Sequence, residues 1–381
     1  MLSKIKSVVS KKIRNIPGIK VNRKYLVIES DDWGSIRMPS IESYRNLKSH
    51  NINLGEGESL RYNISDTLAN VDDFSALYET LSKFRDINGN TPVFTALSLV
   101  ANPDFDKIAK DNFTKYYYEP FTETLKKYNI GNAIEMWREG IDNKLFYPEF
   151  HGREHLNISV WMRALQNNDR DTMIAFQEGC WGFMNHIQHQ HNIMYQAAFE
   201  LEHYSDIENH KDAIKTGLEL FEEIHGYKAK FFVPPNGPFN NTLEATASQS
   251  GIAYMGASKV QLESLGQGKT KKVYHWLGQK NKNGQTYLTR NAFFEPNAPG
   301  YDWVDTCLED ISDAFKWNKP VVISSHRTNY IGSLDASNRD NSLAKLSELI
   351  SIVLKKWPDV EFITSTQLGN IINSKEKDIN Y

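Results

Sequence analysis

The sequence predicts an α/β fold in which a parallel sheet is either open or closed into a barrel. Short runs rich in β-branched and aromatic residues alternate with helical patterns over most of the 381 residues. Polar, chemically reactive side chains directly follow several of these runs, which is where parallel sheets carry their active sites. No linker rich in Gly, Ser or Pro divides the chain, so we expect one domain with insertions.

Eight segments have the length and composition of buried strands. They are residues 25–29, 92–99, 146–150, 230–233, 252–255, 286–289, 320–324 and 361–364. Helical spacing appears between them in "VDDFSALYETLSKFRDI", "HKDAIKTGLELFEEIHGY", "TLEATASQSG" and "NSLAKLSELISIVLKKW". This alternation is what predicts the parallel sheet.

The overall composition argues against several classes of protein. With 44 basic and 47 acidic side chains the net charge is −3, so no overall field favours nucleic acid as a partner. The two cysteines, Cys180 and Cys307, lie far apart and indicate neither a disulfide framework nor a cysteine-based zinc site, which fits a reducing compartment. No apolar run approaches the length of about 18 residues that a transmembrane helix needs.

The N-terminal stretch has the pattern of a basic amphipathic helix. Apolar residues recur at near-helical spacing between lysines and Arg14, and Pro17-Gly18 ends the pattern. Residues 2–16 would suit peripheral contact with the anionic inner face of a membrane, or they pack on the domain or fray. No continuous hydrophobic signal core is present, so we expect a cytoplasmic protein, with the inner membrane face as one alternative.

Two adjacent carboxylates, Asp31 and Asp32, follow the first strand in "YLVIESDDWG". Like charges side by side are costly unless a cation lies beside them, so a bound cation is one interpretation and a turn or helix cap is the other. His151 and His155 in "FHGREHLN" are four residues apart and would share one face if a helix starts there. With Asp32 they would supply three ligands to one metal ion and leave positions open for water and substrate.

Four motifs in this order, "ESDDWG", "HGREH", "FFVPPNG" and "VVISSH", resemble those of the polysaccharide deacetylases, the NodB-homology group of carbohydrate esterases. The resemblance spans roughly residues 25 to 330. It implies a distorted (β/α) barrel that holds one divalent metal ion and removes acetyl groups from N-acetylated sugars. On this basis residues 25–372 form a single catalytic domain with insertions at about 100–145 and 158–210, residues 1–24 the N-terminal helix and residues 373–381 a tail.

Carried over position by position, the resemblance assigns five residues to the catalytic centre. Asp32, His151 and His155 match the metal ligands. Asp31 matches the general base that deprotonates a metal-bound water, and His326 matches the general acid that protonates the leaving amine.

Three further residues are candidates for oxyanion or substrate contacts. The backbone N–H of Asn236 takes the place of the family's oxyanion donor. Trp33 is a candidate for stacking on a sugar ring, although such residues more often belong to the core, and Arg327 lies beside the acid. Zinc is the default metal for a His₂Asp set, while nickel, cobalt, manganese and iron remain open.

The sequence departs from the family pattern at two places. Val233 stands where the family has an arginine that orients the catalytic aspartate, so another cation must orient Asp31; the candidates are Arg153, Arg290 and Arg327, and we favour Arg327. The residue that orients His326 is also open, because Asp302 in "GYDWVD" lies further along the chain than expected and Glu295 is an alternative.

Three functions are compatible with these motifs. The first is a metal-dependent deacetylase acting on an acetylated sugar or glycan, for example a precursor of a surface polysaccharide. The second is a hydrolase of a non-sugar C–N amide bond on the same fold, since a fold does not determine its substrate. The third is a non-catalytic carbohydrate-binding relative, suggested by Val233 at the arginine position.

Overall fold

Strands and helices alternate along most of the chain, as the sequence predicts. The computed structural model describes residues 15–185 and 191–378, without the side chains of 375–378. The strands are β1 (Lys24–Trp33), β2 (Phe94–Leu99), β3 (Ala101–Pro103), β4 (Tyr118–Pro120), β5 (Phe146–Gly152), β6 (Phe231–Phe232), β7 (Tyr254–Gly256), β8 (Val260–Gly266), β9 (Lys269–Tyr274), β10 (Thr286–Leu288), β11 (Ala292–Phe293), β12 (Val321–His326) and β13 (Val360–Phe362). The helices are α1 (Ile41–Ser49), α2 (Glu58–Ser65), α3 (Val71–Leu81), α4 (Phe105–Lys110), α5 (Phe121–Lys127), α6 (Ala133–Asp142), α7 (Ile158–Gln166), α8 (Arg170–Gln177), α9 (Ile207–His225), α10 (Glu244–Gln249), α11 (Trp303–Lys316), α12 (Ala336–Lys356) and α13 (Ser365–Asp378).

Nine of these strands form one sheet in the order β10-β7-β6-β5-β2-β1-β12-β11, with β13 paired to the first residues of β1. Every pairing in this sheet is parallel, so the carboxyl ends of its strands meet at one edge. The sheet curls into a distorted half-barrel, which confirms the predicted α/β fold. All eight predicted strand segments belong to it; the two-residue strand β11 and the antiparallel ribbons β3–β4 and β8–β9 were not predicted.

Alternate residues of β1 face opposite sides of the sheet. Leu26 and Ile28 pack outwards in the large cluster with helices α3, α11 and α12, whereas Val27 packs inwards in a cluster with Val322. Helix α13 covers that inner cluster with Leu368. Positions 27, 29 and 31 therefore line the inside of the half-barrel, with position 31 at the carboxyl end.

A separate hydrophobic cluster lies beside the sheet. It joins residues 38–54 to residues 156–183 and 193–195 around the buried rings of Trp161 and Trp181. The indole Nε1 of Trp181 donates to the carbonyl of Ile36 at 3.1 Å, which ties this cluster to the segment that follows β1. Part of the predicted second insertion is thus packed directly behind the end of the central strand.

Two expectations concern the ends of the chain and its cysteines. The predicted amphipathic helix of residues 2–16 lies outside the described residues except for its last two positions. Within the described ranges, no helix combines the length and apolar content needed to cross a bilayer. Cys180 and Cys307 are both buried and unpaired.

Candidate active site

The ends of three strands bring reactive side chains together. In the register of β1 and β12, Asp31 and His326 are direct partners. Both point into the half-barrel, because Val27 and Val322 do so and side chains alternate along each strand. His151 lies near the end of β5, which is separated from β1 only by β2.

Asp32 lies at a break in the pairing of β1 with β2. The register shifts between Ser30 and Trp33, and Asp32 has a left-handed φ of 76°. Its Oδ1 lies 3.5 Å from Nε2 of His151 and 3.3 Å from Nε2 of His155. This oxygen is buried and has no hydrogen-bond partner among the described residues. Most buried side-chain oxygens in folded proteins do have a partner, so this one needs an explanation.

The carbonyl of Val233 orients the ring of His151. Nδ1 of His151 lies 2.7 Å from this oxygen and must carry the proton, since a carbonyl can only accept. The other ring nitrogen, Nε2, therefore faces Asp32 and is placed to bind a metal ion. Such a carbonyl behind the ring is the usual support of a metal-ligating histidine.

His155 reaches the same point by a route that differs from the prediction. His151 is on a strand and His155 is in the loop before α7, so the expectation that a helix places both on one face is wrong. The chain turns at Gly152, whose φ of 148° is accessible to glycine. The His155 ring stacks on Trp181 with centroids 6.1 Å apart.

The donor set fits a divalent metal ion. The ligand atoms of Asp32, His151 and His155 all lie within 4.8 Å of one another, and all three residues are buried. Burial lowers the pKa of His155 to about 4, despite the nearby charge of Asp32, so its ring is neutral. Lone pairs converging from one carboxylate and two imidazoles repel each other unless a cation lies between them.

Arg290 is the cation that orients Asp31. It lies in the connection between β10 and β11, the two edges of the sheet, and its Nη1 donates to Oδ2 of Asp31 at 2.8 Å while Nη2 donates to Oδ1. Its Nε donates to Glu29 at 2.6 Å. Burial raises the pKa of the Asp31 carboxyl, but the charge and hydrogen bonds of Arg290 outweigh it, so the pKa is lowered and Asp31 is ionised. Arg290 thus supplies the charge that is missing at Val233.

The two other arginine candidates do not reach Asp31. Arg327, which we favoured, is completely buried and donates to Asp66 at 2.9 Å, because it follows His326 and faces the opposite side of the strand end. It therefore contacts neither Asp31 nor a substrate. Arg153 points towards helix α9 and pairs with Glu154 at 2.7 Å.

Glu295 is the partner of His326. Its Oε1 lies 2.6 Å from Nδ1 of His326, while its Oε2 accepts from Arg61 and Asn329, each at 2.9 Å. Nε2 of His326 faces Asp31 at 3.7 Å. Burial lowers the pKa of His326, but Glu295 and the two aspartates outweigh burial and raise it to about 9. The ring is therefore a cation at neutral pH and holds a proton beside the site.

Two predicted site residues have structural positions instead. The exposed Asp302 caps helix α11 by accepting from the backbone N–H of Asp305 at 3.1 Å, so it does not orient His326. Trp33 is only 1% exposed and packs edge-on against Phe146 in the outer core, so its ring is closed to a sugar. The side chain of Asp302 is engaged by its own helix and the ring of Trp33 by the core, so neither contacts the reacting groups.

Asn236 lies on the rim of a cavity of about 350 Å³ beside the site. It is exposed in the turn after β6, with φ of 60°, and within the described part of the chain its backbone N–H has no hydrogen-bond partner. The cavity is also lined by Arg290, Phe293 and Ser324, so it opens next to Asp31. An N–H in this position is available to a substrate oxygen.

Sequence reasoning missed the aromatic and basic residues that enclose the histidines. The ring of Tyr62 meets that of His326 edge-on at 5.6 Å, and Arg61 lies behind Glu295. Both come from helix α2, which carries no recognisable motif, so no signal in the sequence pointed to them. The segment "NHIQHQH" carries three histidines close together. His186 and His189 lie outside the described residues, and His191 lies beside Gly268 in the β8–β9 ribbon.

Comparisons with known proteins gave structural similarities only. No family model matches the chain, and no curated protein matches its sequence. It is similar to the structure of a chain named as a polysaccharide deacetylase from Mycobacterium smegmatis, at 12% identity and a TM-score of 0.46 over 94% of this chain and 95% of the other. A second, so named from Pseudomonas aeruginosa PAO1, has 10% identity and a TM-score of 0.46 over 91% and 90% of the two chains. The allantoinase PuuE has 11% identity and a TM-score of 0.46 over 91% and 89%.

Proposed function

We propose that this protein is a metal-dependent hydrolase that removes the acetyl group from the nitrogen of an acetylated sugar or glycan. One observation carries the proposal: the buried group of Asp32, His151 and His155 lies beside an ionised carboxylate, Asp31, and a cationic imidazole, His326. A protein that only binds sugars has no need of a base and an acid next to a metal site. Metal-assisted hydrolysis of an amide uses all three.

Each side chain has one task in this reaction. Asp32, His151 and His155 would hold a divalent cation, which would lower the pKa of water and polarise the acetyl carbonyl. Asp31, held ionised by Arg290, accepts the proton that the attacking water loses as its oxygen bonds to the carbonyl carbon. The backbone N–H of Asn236 donates to the carbonyl oxygen as that oxygen gains negative charge. His326 donates its Nε2 proton to the nitrogen as the C–N bond breaks, which leaves acetate and a free amine.

The metal ion, the extent of the catalytic domain and its location belong to the same proposal. Zinc suits a site of two imidazoles and one carboxylate with open positions, and nickel, cobalt, manganese and iron are the alternatives. We propose that residues 25–372 act as one catalytic domain on the cytoplasmic side. Residues 2–16 would hold it at the inner membrane face, where a lipid-linked glycan is accessible.

Metal content is the first test of the site. Purified protein, incubated with zinc, nickel, cobalt or manganese and then dialysed, is expected to retain about one equivalent of metal by elemental analysis. The double variant His151→Ala/His155→Ala should lose it. A matched control, His50→Ala/His203→Ala, removes two exposed histidines and should keep it. Wild-type protein that binds none of the four metals would refute the metal site.

Acetate release then tests the reaction. The metal-loaded protein is assayed with N-acetylated sugars, O-acetylated sugars and non-sugar amides, with acetate and free amine measured in parallel. Equal amounts of acetate and amine from an N-acetylated sugar support the proposal. Amine without acetate from a non-sugar amide would assign the same chemistry to another substrate class, and a metal-loaded protein that binds glycans without releasing either product would be a binding relative.

A further inference from the structure

Arg37 is a buried cation without a counter-ion next to the candidate active site. It is only 8% exposed, and its Nε is buried without a hydrogen-bond partner. Its guanidinium lies over the ring of Tyr62 at 4.8 Å and near the ring of Trp181 at 6.0 Å. No ion pair or hydrogen bond joins its side chain to another side chain in the described ranges.

The rest of the chain offers no acid that would neutralise Arg37. Asp66 feels its charge, but the Asp66 carboxylate is already bound by Arg327 at 2.9 Å. The undescribed residues 1–14, 186–190 and 379–381 contain no Asp or Glu. The acidic side chains that are not described, Glu376 and Asp378, belong to the end of α13, whose preceding turn contacts Thr286 at the amino end of the sheet.

The rings around Arg37 also enclose the reacting groups. Tyr62 meets His326 edge-on, and Trp181 stacks on His155. Arg37 therefore lies in the wall that joins the proposed acid to the proposed metal ligands. Gly182 leaves room for it, since a Cβ at this position would lie 3.0 Å from Cγ and 3.2 Å from Nε of Arg37.

A buried charge without a partner is strongly unfavourable, and its position beside the candidate active site points to a ligand that completes the pair. We infer that Arg37 binds an anionic group of the substrate, a phosphate or a carboxylate carried by the acetylated sugar. Cation–π contact with Tyr62 and Trp181 stabilises the guanidinium in the free protein without neutralising it. Arginine is the side chain best shaped to bind either anion through two parallel hydrogen bonds.

The inference rests on the proposed function, because it treats the ligand of Arg37 as part of the substrate. It narrows the substrate class to acetylated sugars that carry an anionic group. A neutral N-acetylated sugar would leave Arg37 unpaired in the complex, whereas a sugar phosphate or an acidic sugar would neutralise it. We expect KM to be about 10- to 100-fold lower for the anionic sugar, the range of one charge-assisted hydrogen-bonded pair.

Paired substrates test this preference. The metal-loaded full chain is assayed with N-acetylglucosamine, with its 1-phosphate and 6-phosphate, and with N-acetylmuramic acid as the carboxylate. Arg37→Gln should remove the preference by raising KM for the anionic sugars alone, and Arg37→Lys should keep part of it. The exposed Arg138→Gln is the matched control and should behave as wild type. Loss of activity by the same factor on neutral and anionic sugars would overturn the inference, because a structural role predicts that result.

Two further measurements apply if Arg37→Gln does not fold or if no sugar is hydrolysed. If Arg37→Gln does not fold, Gly182→Ala replaces it: the added methyl would lie 3.0 Å from Cγ of Arg37, so this side chain must shift slightly, and binding of the anionic sugars should weaken selectively. If no sugar is hydrolysed, the proposed function fails, and calorimetric titration still tests Arg37 alone. N-acetylglucosamine 6-phosphate should then bind wild type about tenfold or more tightly than Arg37→Gln. Equal binding of this ligand to both proteins would refute the anion site.

Discussion

Histidines on the two sides of the candidate active site have different charge states. His155 is buried against Trp181, and burial lowers its pKa to about 4 although Asp32 lies nearby. The side chain of His326 is 26% exposed, and the carboxylate of Glu295, 2.6 Å from its Nδ1, together with the two aspartates raises its pKa to about 9 against the cost of desolvation. Lower burial and adjacent carboxylates, with Glu295 on the far side of the ring foremost, therefore make His326 a proton donor, whereas the more deeply buried His155 is a neutral ligand.

The largest expected effect comes from removing either ring. His326→Ala should lower kcat by about 10²- to 10⁴-fold, the usual contribution of a general acid, while the protein keeps its metal. His155→Ala should lose both activity and metal. Elemental analysis beside acetate-release kinetics separates the two variants. Loss of metal from His326→Ala would contradict the division of roles between the two sides.

A smaller effect is expected when the ring stays and its partner changes. Glu295→Gln keeps a hydrogen-bond acceptor but removes the charge that raises the pKa of His326. Because the acid must be protonated, activity is lost as pH rises through that pKa. A lower pKa therefore moves the alkaline limb of the kcat profile to lower pH, by about one to two units for the loss of one adjacent charge.

Asp302→Asn is the control for this shift. Asp302 was the other sequence candidate for orienting His326, but it caps an exposed helix, and Asn is an equally good cap. We expect its pH profile to match that of wild type. An alkaline limb that does not move in Glu295→Gln would show that another group donates the proton.

The smallest effect on activity is expected at the arginines. Arg290→Gln removes the charge that lowers the pKa of Asp31, so the pKa rises and the base is protonated at a higher pH. The acidic limb of the kcat/KM profile should then move to higher pH, with a several-fold loss of activity at neutral pH.

Arg327→Gln breaks the buried pair with Asp66 and should cost about 3–5 kcal/mol of stability, measured by denaturant unfolding, without moving either limb of the pH profile. A shift of the acidic limb in Arg327→Gln would restore the role first suggested for it.

The strand pattern of the fold was predictable because the sheet is buried on both faces. Runs such as "YLVI" read as strands without knowledge of their partners, and all eight predicted segments belong to the parallel sheet. Strand β11 was missed since two residues carry no periodicity. The helical reading of "HGREH" was wrong because four-residue spacing also arises where a strand ends and a loop turns back at Gly152.

The orienting residues were less predictable than the reacting ones. Asp31, Asp32, His151 and His326 lie at strand ends, so local pattern was enough to place them near one edge of the sheet. Glu295 and Arg290 were recognised only as two candidates among several. Tyr62, Arg61 and Arg37 come from segments without any motif, so their position beside the site was not predictable.

The sequence by itself determined which segments are strands and which reactive residues lie at their carboxyl ends. It also determined the alternation that turns Asp31 and His326 inwards, because all of these depend on short-range periodicity. Only the tertiary structure decided which cation meets Asp31. Arg290 reaches it because the curl of the sheet brings the β10–β11 connection over the end of β1, and Arg327 does not because alternation turns it towards Asp66. Such pairings join groups some 260 residues apart, and no local pattern encodes a contact of that separation.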